Sequence, residues 1–303
     1  MNLSLKTSIT NVKLDHPLMN SSGILGSEPE TIDILIRYNV SAVVSKTITY
    51  EPRKGYDPPI VVELRNGGLI NAVGLANPGR DIIPKLIERA RRYNRPIIIS
   101  VGGSSVKEFV EVASTADLYK ADAVELNLSC PHTKGYGIEI GSDPENVSEI
   151  VEAVSGSIKI PVIAKLGLSD RILRSAEKAL EKGAKALTLI NTIKALVIDV
   201  YSMKPILTNI FGGLSGPPIH PIAVRIVYEI YRELKPEIIG VGGVSDWRDV
   251  AEFILAGAKA VQIGTALIKK PDIIPEILKD LQNWMIEINI KDINEVVGAA
   301  LKS

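Results

Sequence analysis

Residues 122–141, DAVELNLSCPHTKGYGIEIG, gather the groups best able to do chemistry. The run starts apolar, with Ala123, Val124, Leu126 and Leu128, as a buried strand does. It breaks at Pro131 into a loop that carries Gly135, Gly137 and Gly141. Around the break stand an amide (Asn127), the only cysteine of the chain (Cys130) and an imidazole (His132). Strand ends that deliver polar side chains into a glycine-rich loop are where α/β enzymes place catalysis. The plainer readings stand beside this one. A lone cysteine is more often a small buried hydrophobe than a nucleophile, and His132 reads as a loop residue without a role. No role is assigned to His16 or His220 either.

Other apolar runs also end in polar groups. Residues 41–47 (SAVVSKT) deliver Lys46, and residues 161–166 (PVIAKL) deliver Lys165. Residues 186–191 (ALTLIN) end at Asn191 and Thr192, and residues 17–23 (PLMNSSG) at Ser22. An unpaired ammonium inside a barrel is costly, so Lys165 reads as functional rather than as a solvated tip. Gly242 with Gly243, and Gly264 with Thr265, follow the last two strand-like runs. Backbone N–H groups at such turns, beside a helix N-terminus, bind phosphate, although glycine there is also an ordinary turn residue. Two lysines, a set of asparagines, a cysteine and a phosphate cradle point to a phosphorylated cofactor and a small anionic substrate. No His/Asp/Glu cluster has metal-ligand spacing, so no metal is expected.

These groups need a frame that brings strand ends together. Helical spacing covers residues 28–38, 79–93, 106–119, 144–154, 170–182, 218–234, 246–255 and 271–288, alternating with eight short apolar strands. Three segments repeat one pattern: YKADAVELN, EKGAKALTLIN and LAGAKAVQIG each end a helix, turn at a small residue and enter a strand. Alternating βα units imply a parallel sheet, and eight of them imply an α/β fold of the (β/α)8 TIM-barrel type. Residues 1–303 are read as a single domain. An N-terminal β-hairpin over residues 2–14 is expected to cover one end of the barrel. Residues 48–78 and 192–216 are read as long inserted loops over the C-terminal face, the first with strand-like runs near Val61 and Leu69. An open doubly wound sheet is the alternative, but no GxGxxG follows the first strand.

The bulk properties narrow the class. The chain has 303 residues, 46% of them hydrophobic, enough for a sizeable core. Lys+Arg and Asp+Glu both total 35, so nothing suggests a nucleic-acid partner. One cysteine makes no internal disulfide, which fits a reducing cytoplasm. No apolar run is long enough to span a membrane, and the N-terminus lacks a signal-peptide pattern.

The motifs SKT (45–47), NAVGLANPG (71–79), NLSCPH (127–132), AKL (164–166), NT (191–192), GGLSGPPI (212–219), GVGG (240–243) and QIGTA (262–266) occur in an order that resembles class 1 dihydroorotate dehydrogenases. EPRKGYDPP, GSDPE and GLSGPPIHPIA resemble class 1B, the catalytic subunit of the heteromeric enzymes. The resemblance implies an FMN enzyme of pyrimidine synthesis that oxidises dihydroorotate to orotate. It implies Cys130 as the base, and Lys46, Asn71, Gly74, Leu75, Asn127, Asn191 and Thr192 as substrate-binding residues. It implies Ser22, Ser45, Lys46, Asn127, Lys165, Ile190, Gly216, Gly242, Gly243, Gly264 and Thr265 around FMN. It also implies a homodimer, and a possible second subunit with FAD and an iron–sulfur cluster that passes electrons to NAD. One cysteine cannot ligate such a cluster within this chain. Ser100 stands where the family usually has asparagine, and residues 192–211 lack an obvious match to the 1B pattern. A dihydropyrimidine dehydrogenase-type flavin subunit shares NLSCPH and SKT. A phosphate-binding barrel without redox chemistry is the further alternative.

Overall fold

The computed structural model describes residues 3–65, 67–128 and 143–302. Cys130, His132 and most of the loop after Asn127 lie outside them. Eight strands form one parallel sheet: β3 (Leu18–Asn20), β4 (Val43–Val44), β7 (Ile97–Val101), β8 (Ala123–Asn127), β9 (Val162–Leu166), β10 (Ala186–Leu189), β15 (Ile238–Val241) and β16 (Ala260–Ile263). Their spatial order is β3-β16-β15-β10-β9-β8-β7-β4. The gap between β3 and β4 is closed by Ser41 N–H donating to the Leu18 carbonyl (2.9 Å) and by Asn20, whose amide bonds both backbone groups of Val44 (2.6 and 2.9 Å). The sheet is therefore a closed (β/α)8 barrel, the architecture expected from the βα alternation.

The helix that follows each barrel strand covers the outside. They are α1 (Pro29–Arg37), α2 (Ile83–Arg91), α3 (Val106–Leu118), α4 (Pro144–Ser157), α5 (Ile172–Glu181), α6 (His220–Leu234), α7 (Trp247–Ala256) and, beyond a short α8 (Thr265–Lys269), α9 (Ile273–Glu287). The sequence repeat has a structural cause. Lys120, Gly183 and Gly257 take positive φ, as the residue after a helix does in a left-handed cap. The N–H groups of Ala121, Ala184 and Ala258 then bond back to residues five earlier (2.9, 3.0 and 2.9 Å). The next residue starts the ladder to the preceding strand each time, at 3.0, 2.8 and 2.9 Å. Each helix thus stops and re-enters the sheet within three residues.

Alternation along the strands separates two cores. Outward residues such as Ile97, Ile99, Val124 and Leu126 pack with Leu86, Phe109, Val151 and Phe253 of the helices. Inward residues Met19, Val44, Ile98, Ala123, Ile163, Ala186, Ile239 and Ala260 form the bottom layer of the barrel. Ile9, Val12 and Leu14 of the hairpin β1 (Thr7–Ile9) and β2 (Val12–Leu14) pack onto that layer. The hairpin therefore plugs the N-terminal end, opposite the functional face.

His16 sits beside this plug, 6% exposed, its Nδ1 accepting from Leu18 N–H at 3.3 Å. Burial, helped by the Arg95 charge, lowers its pKa from 6.5 to about 4. Folding then favours the neutral ring, so stability is full above pH 6.5 and falls as the pH drops toward 4. At about 1.4 kcal/mol per pH unit that window is worth roughly 3 kcal/mol. Denaturant unfolding across it is expected to show this loss in the wild type. His16→Asn, which keeps an acceptor for Leu18, is expected to lose that much less. Equal losses would remove His16 as the cause.

The two long insertions are not open loops. β5 (Val61–Glu63), β6 (Leu69–Asn71), β11 (Ile193–Leu196) and β14 (Phe211–Ser215) form a four-stranded antiparallel sheet, ordered β11-β14-β6-β5. β12 (Ile198–Asp199) and β13 (Lys204–Pro205) extend as a second hairpin. The expectation of a loop over residues 192–216 is corrected accordingly. Its alternating half-buried pattern at Ile193, Ala195 and Val197 is a one-face strand signal. Gly212 carried no such signal. A Cβ there would stand 2.5 Å from Ile70 and 2.6 Å from Leu207, so glycine is what lets β14 lie against β6.

Candidate active site

The C-terminal ends of the strands surround a cleft. Ser22, Lys46, Asn71, Gly74, Leu75, Asn127, Lys165, Ile190, Asn191, Thr192, Gly216, Gly242, Gly243, Gly264 and Thr265 all line it. Fifteen of the residues singled out in the sequence thus converge on one space. Cys130 lies outside the described residues. Ser45 does not line the cleft; it is fully buried, its hydroxyl accepting from Ser100 N–H (2.9 Å) and donating to the Lys46 carbonyl (3.0 Å).

The same alternation that makes the barrel bottom apolar makes its upper layers polar. On β8 the inward positions run Ala123, Glu125, Asn127, and on β9 Ile163, Lys165. Lys165 is 3% exposed at the cleft floor. Its Nζ donates to Ser22 Oγ (3.2 Å) and Gln262 Oε1 (3.1 Å), and lies 3.5 Å from Glu125 Oε1. Glu125, Thr188 and Gln262 were not singled out from sequence. Each sits inside an apolar run, and only the inward phase of its strand marks it.

A chain of hydrogen bonds fixes the asparagines. Ser100 and Thr47 hydroxyls meet at 3.0 Å, and Thr47 Oγ1 accepts from Asn127 Nδ2 at 2.9 Å. Asn127 Oδ1 accepts from Asn191 Nδ2 at 3.1 Å, and Asn191 Oδ1 takes the Thr192 N–H at 2.8 Å. The amide orientations are therefore set from below. Ser100, unassigned from sequence, is the buried anchor of this chain.

The wall opposite comes from the 71–79 loop. Asn77 holds it against the end of the second barrel strand, its Oδ1 accepting from Thr49 N–H (3.2 Å) and Gly79 N–H (2.8 Å), its Nδ2 donating to Thr49 Oγ1 (2.8 Å). That anchorage carries Gly74 and Leu75 to the cleft. Lys46 projects there too, and burial lowers its pKa below the ordinary lysine value.

The glycine rim is braced from behind. His220 Nδ1 bonds the Gly242 carbonyl at 2.9 Å, while Nε2 faces Glu252 (3.2 Å) and Asp249 (3.4 Å). A Cβ on Gly243 (φ +75°) would stand 2.7 Å from His220 Cβ and 2.8 Å from the Gly216 carbonyl. Gly243 can be little else. His220, given no role from sequence, positions this turn.

The charge balance of the cleft is one-sided. Its described lining includes two lysines and no Asp or Glu. Amide and hydroxyl groups supply the remaining polar contacts. Such a donor set suits anions, and the glycine turns beside the α8 N-terminus suit a phosphate. No group of three or more His, Cys, Asp or Glu among the described residues could hold a metal ion.

A family model described as dihydroorotate dehydrogenase matches residues 4–285. A protein of Thermoplasma volcanium named dihydroorotate dehydrogenase B (NAD(+)), catalytic subunit, is 46% identical over 98% of this chain and 99% of its own length. One of Pyrococcus abyssi with the same name is 43% identical over the same shares. One of Aeropyrum pernix, provisionally named dihydroorotate dehydrogenase A (fumarate), is 47% identical over 98% of this chain and 97% of its own. A crystal structure of the Eimeria tenella enzyme with ferulenol superposes with a TM-score of 0.85 over 99% of this chain and 89% of that one, at 21% identity, which supports the barrel fold. The extent of the family match and the full-length identities together place the chain in the dihydroorotate dehydrogenase family.

Proposed function

We propose that this chain is an FMN-dependent enzyme that oxidises dihydroorotate to orotate in pyrimidine synthesis. The observation that carries this is the cleft itself: two lysines and three asparagines, no carboxylate in the described lining, and a glycine rim at the ends of the last two barrel strands. FMN would bring a phosphate for the rim and supply the hydride acceptor. The chain's residues do the rest. Gly216, Gly242, Gly243, Gly264 and Thr265 would hold the phosphate end. Ser22, Lys46, Asn127, Lys165 and Ile190 would hold the ring, and Ser45, behind Lys46, would act on it only through that neighbour. Asn71, Asn127, Asn191 and Thr192 offer amide donors and acceptors that match a dihydropyrimidine ring, with Gly74, Leu75 and Lys46 closing around its carboxylate. Cys130 would remove the proton from the carbon next to the one that loses hydride.

The relatives' names divide between fumarate and NAD(+) as acceptor at nearly equal identity. The class 1B motifs favour a catalytic subunit with a partner. Such a partner would carry FAD and an iron–sulfur cluster, since this chain has one cysteine. Ile198, Val200, Tyr201 and Met203 are 52 to 92% exposed around the β12–β13 hairpin and support a protein contact there, with a second copy or that subunit. No helix among the described residues is long and apolar enough to cross a membrane. The lone cysteine supports a reducing, cytoplasmic setting, and the continuous barrel supports one FMN-binding domain over residues 1–303.

Substrate choice separates this reading from the dihydropyrimidine dehydrogenase alternative. Dihydroorotate differs from dihydrouracil by a carboxylate, and a site built to pair a charged group rejects the analogue lacking it by about 10⁴-fold or more. Anaerobic flavin reduction by dihydroorotate is expected to exceed that by dihydrouracil by such a factor. The reverse preference would establish the alternative.

A further inference from the structure

Glu125 is a buried charge to which the reading above gives no task. It points inward from β8 and is 0% exposed, the only Asp or Glu among the described residues to be buried. It does not line the cleft, so it can act on a ligand there only through a neighbour. Its Oε2 accepts from Thr188 Oγ1 (3.0 Å) and Gln262 Nε2 (2.6 Å), and its Oε1 lies 3.5 Å from Lys165 Nζ. Gln262 closes the ring, its Oε1 accepting from the same ammonium at 3.1 Å. Reversing that amide would set NH₂ against the ammonium and C=O against the carboxylate. One orientation alone serves both, with an acceptor on the Glu125 side and a donor on the Lys165 side.

We propose that Glu125 is a positioning residue for the flavin. Through direct charge and through Gln262 it holds Lys165 at the cleft floor, so a fixed positive charge meets the flavin when it becomes anionic on reduction. The inference rests on the placement of Lys165 against the flavin under Proposed function. The other titratable group on the described cleft wall is Lys46; Ser22, Thr188 and Gln262, which contact the pair, are neutral.

The consequence is a change in proton balance. Without its counter-charge, a buried ammonium favours the neutral amine. In Glu125→Gln, Lys165 is then uncharged while the flavin is oxidised. Adding two electrons to the flavin places negative charge beside it, and one further proton enters from solvent onto Lys165. The flavin's reduction potential therefore falls more steeply with rising pH than in the wild type.

The test is a dye-equilibrated redox titration of the FMN-loaded protein, followed by its visible spectrum from mildly acid to alkaline pH. Glu125→Gln is expected to add about one proton per two electrons to the wild-type slope. In Glu125→Gln with Lys165→Met, a neutral pair of similar shape, the added proton is expected to vanish. Should Glu125→Gln not fold, Gln262→Met serves, since it removes the amide tying the pair, and a smaller steepening is expected. A wild-type slope in the folded single variant, or a steep slope surviving in the double variant, overturns the inference while leaving the flavin site intact. A wild-type chain that takes up no FMN overturns both the inference and the reading beneath it.

Discussion

Lys165→Met is expected to cost the barrel about 4 kcal/mol near pH 7 and to weaken its hold on the flavin, so that excess FMN is needed to load it. The substitution keeps most of the side chain and removes the charge that faces Glu125 in the interior. A carboxylate stranded there escapes by taking a proton. Holding a proton near pH 7 on a group whose ordinary pKa is about 4.3 sets the cost. The sign follows from linkage. The folded variant binds a proton that the unfolded chain releases, so its stability falls as pH rises above about 4.3. The loss should shrink to about 1 kcal/mol near pH 5. Urea unfolding at the two pH values, with flavin occupancy read from the spectrum, checks both parts. An equal loss at both pH values, or full occupancy with normal reduction, contradicts the role given to Lys165.

Cys130→Ser is expected to slow flavin reduction by about 10²- to 10⁴-fold while leaving FMN bound. The ordinary thiol pKa of about 8.5 leaves a usable thiolate fraction at neutral pH, and nearby positive charge enlarges it. A serine hydroxyl is a far weaker acid, so the deficit should be greatest near neutrality and narrow as pH rises. In the proposed reading Lys46 or Lys165, both on the described cleft lining, would supply such charge. Stopped-flow reduction by dihydroorotate across pH measures this. Rates that match the wild type at every pH would remove Cys130 as the base.

Much of this was legible in the sequence for a physical reason. Helix stops followed at once by apolar strands, as at Lys120–Ala121 and Gly257–Ala258, need a positive-φ residue and then a buried small one, and the small residue leaves a trace in the sequence at both. Polar residues at the ends of those strands, such as Asn127 and Asn191, stand out against their apolar runs. Glu125 and Gln262 did not, because one polar residue within an apolar strand looks the same whether it faces a helix or the barrel axis. Only the closed sheet fixes which. His220 escaped notice because its task is backbone support at a turn contributed by another strand. The sheet over the cleft was hidden because Gly212 and Gly213 have little strand preference, and pairing with β6 across more than a hundred residues decides their conformation.

The most direct measurement is the visible spectrum of the purified chain supplied with FMN, before and after anaerobic addition of dihydroorotate. A bound flavin band that bleaches on addition is the expected result, showing cofactor, substrate and the first half of the reaction together. A flavin band that stays oxidised, or no bound flavin at all, would contradict the assignment of the cleft as a dihydroorotate-oxidising site.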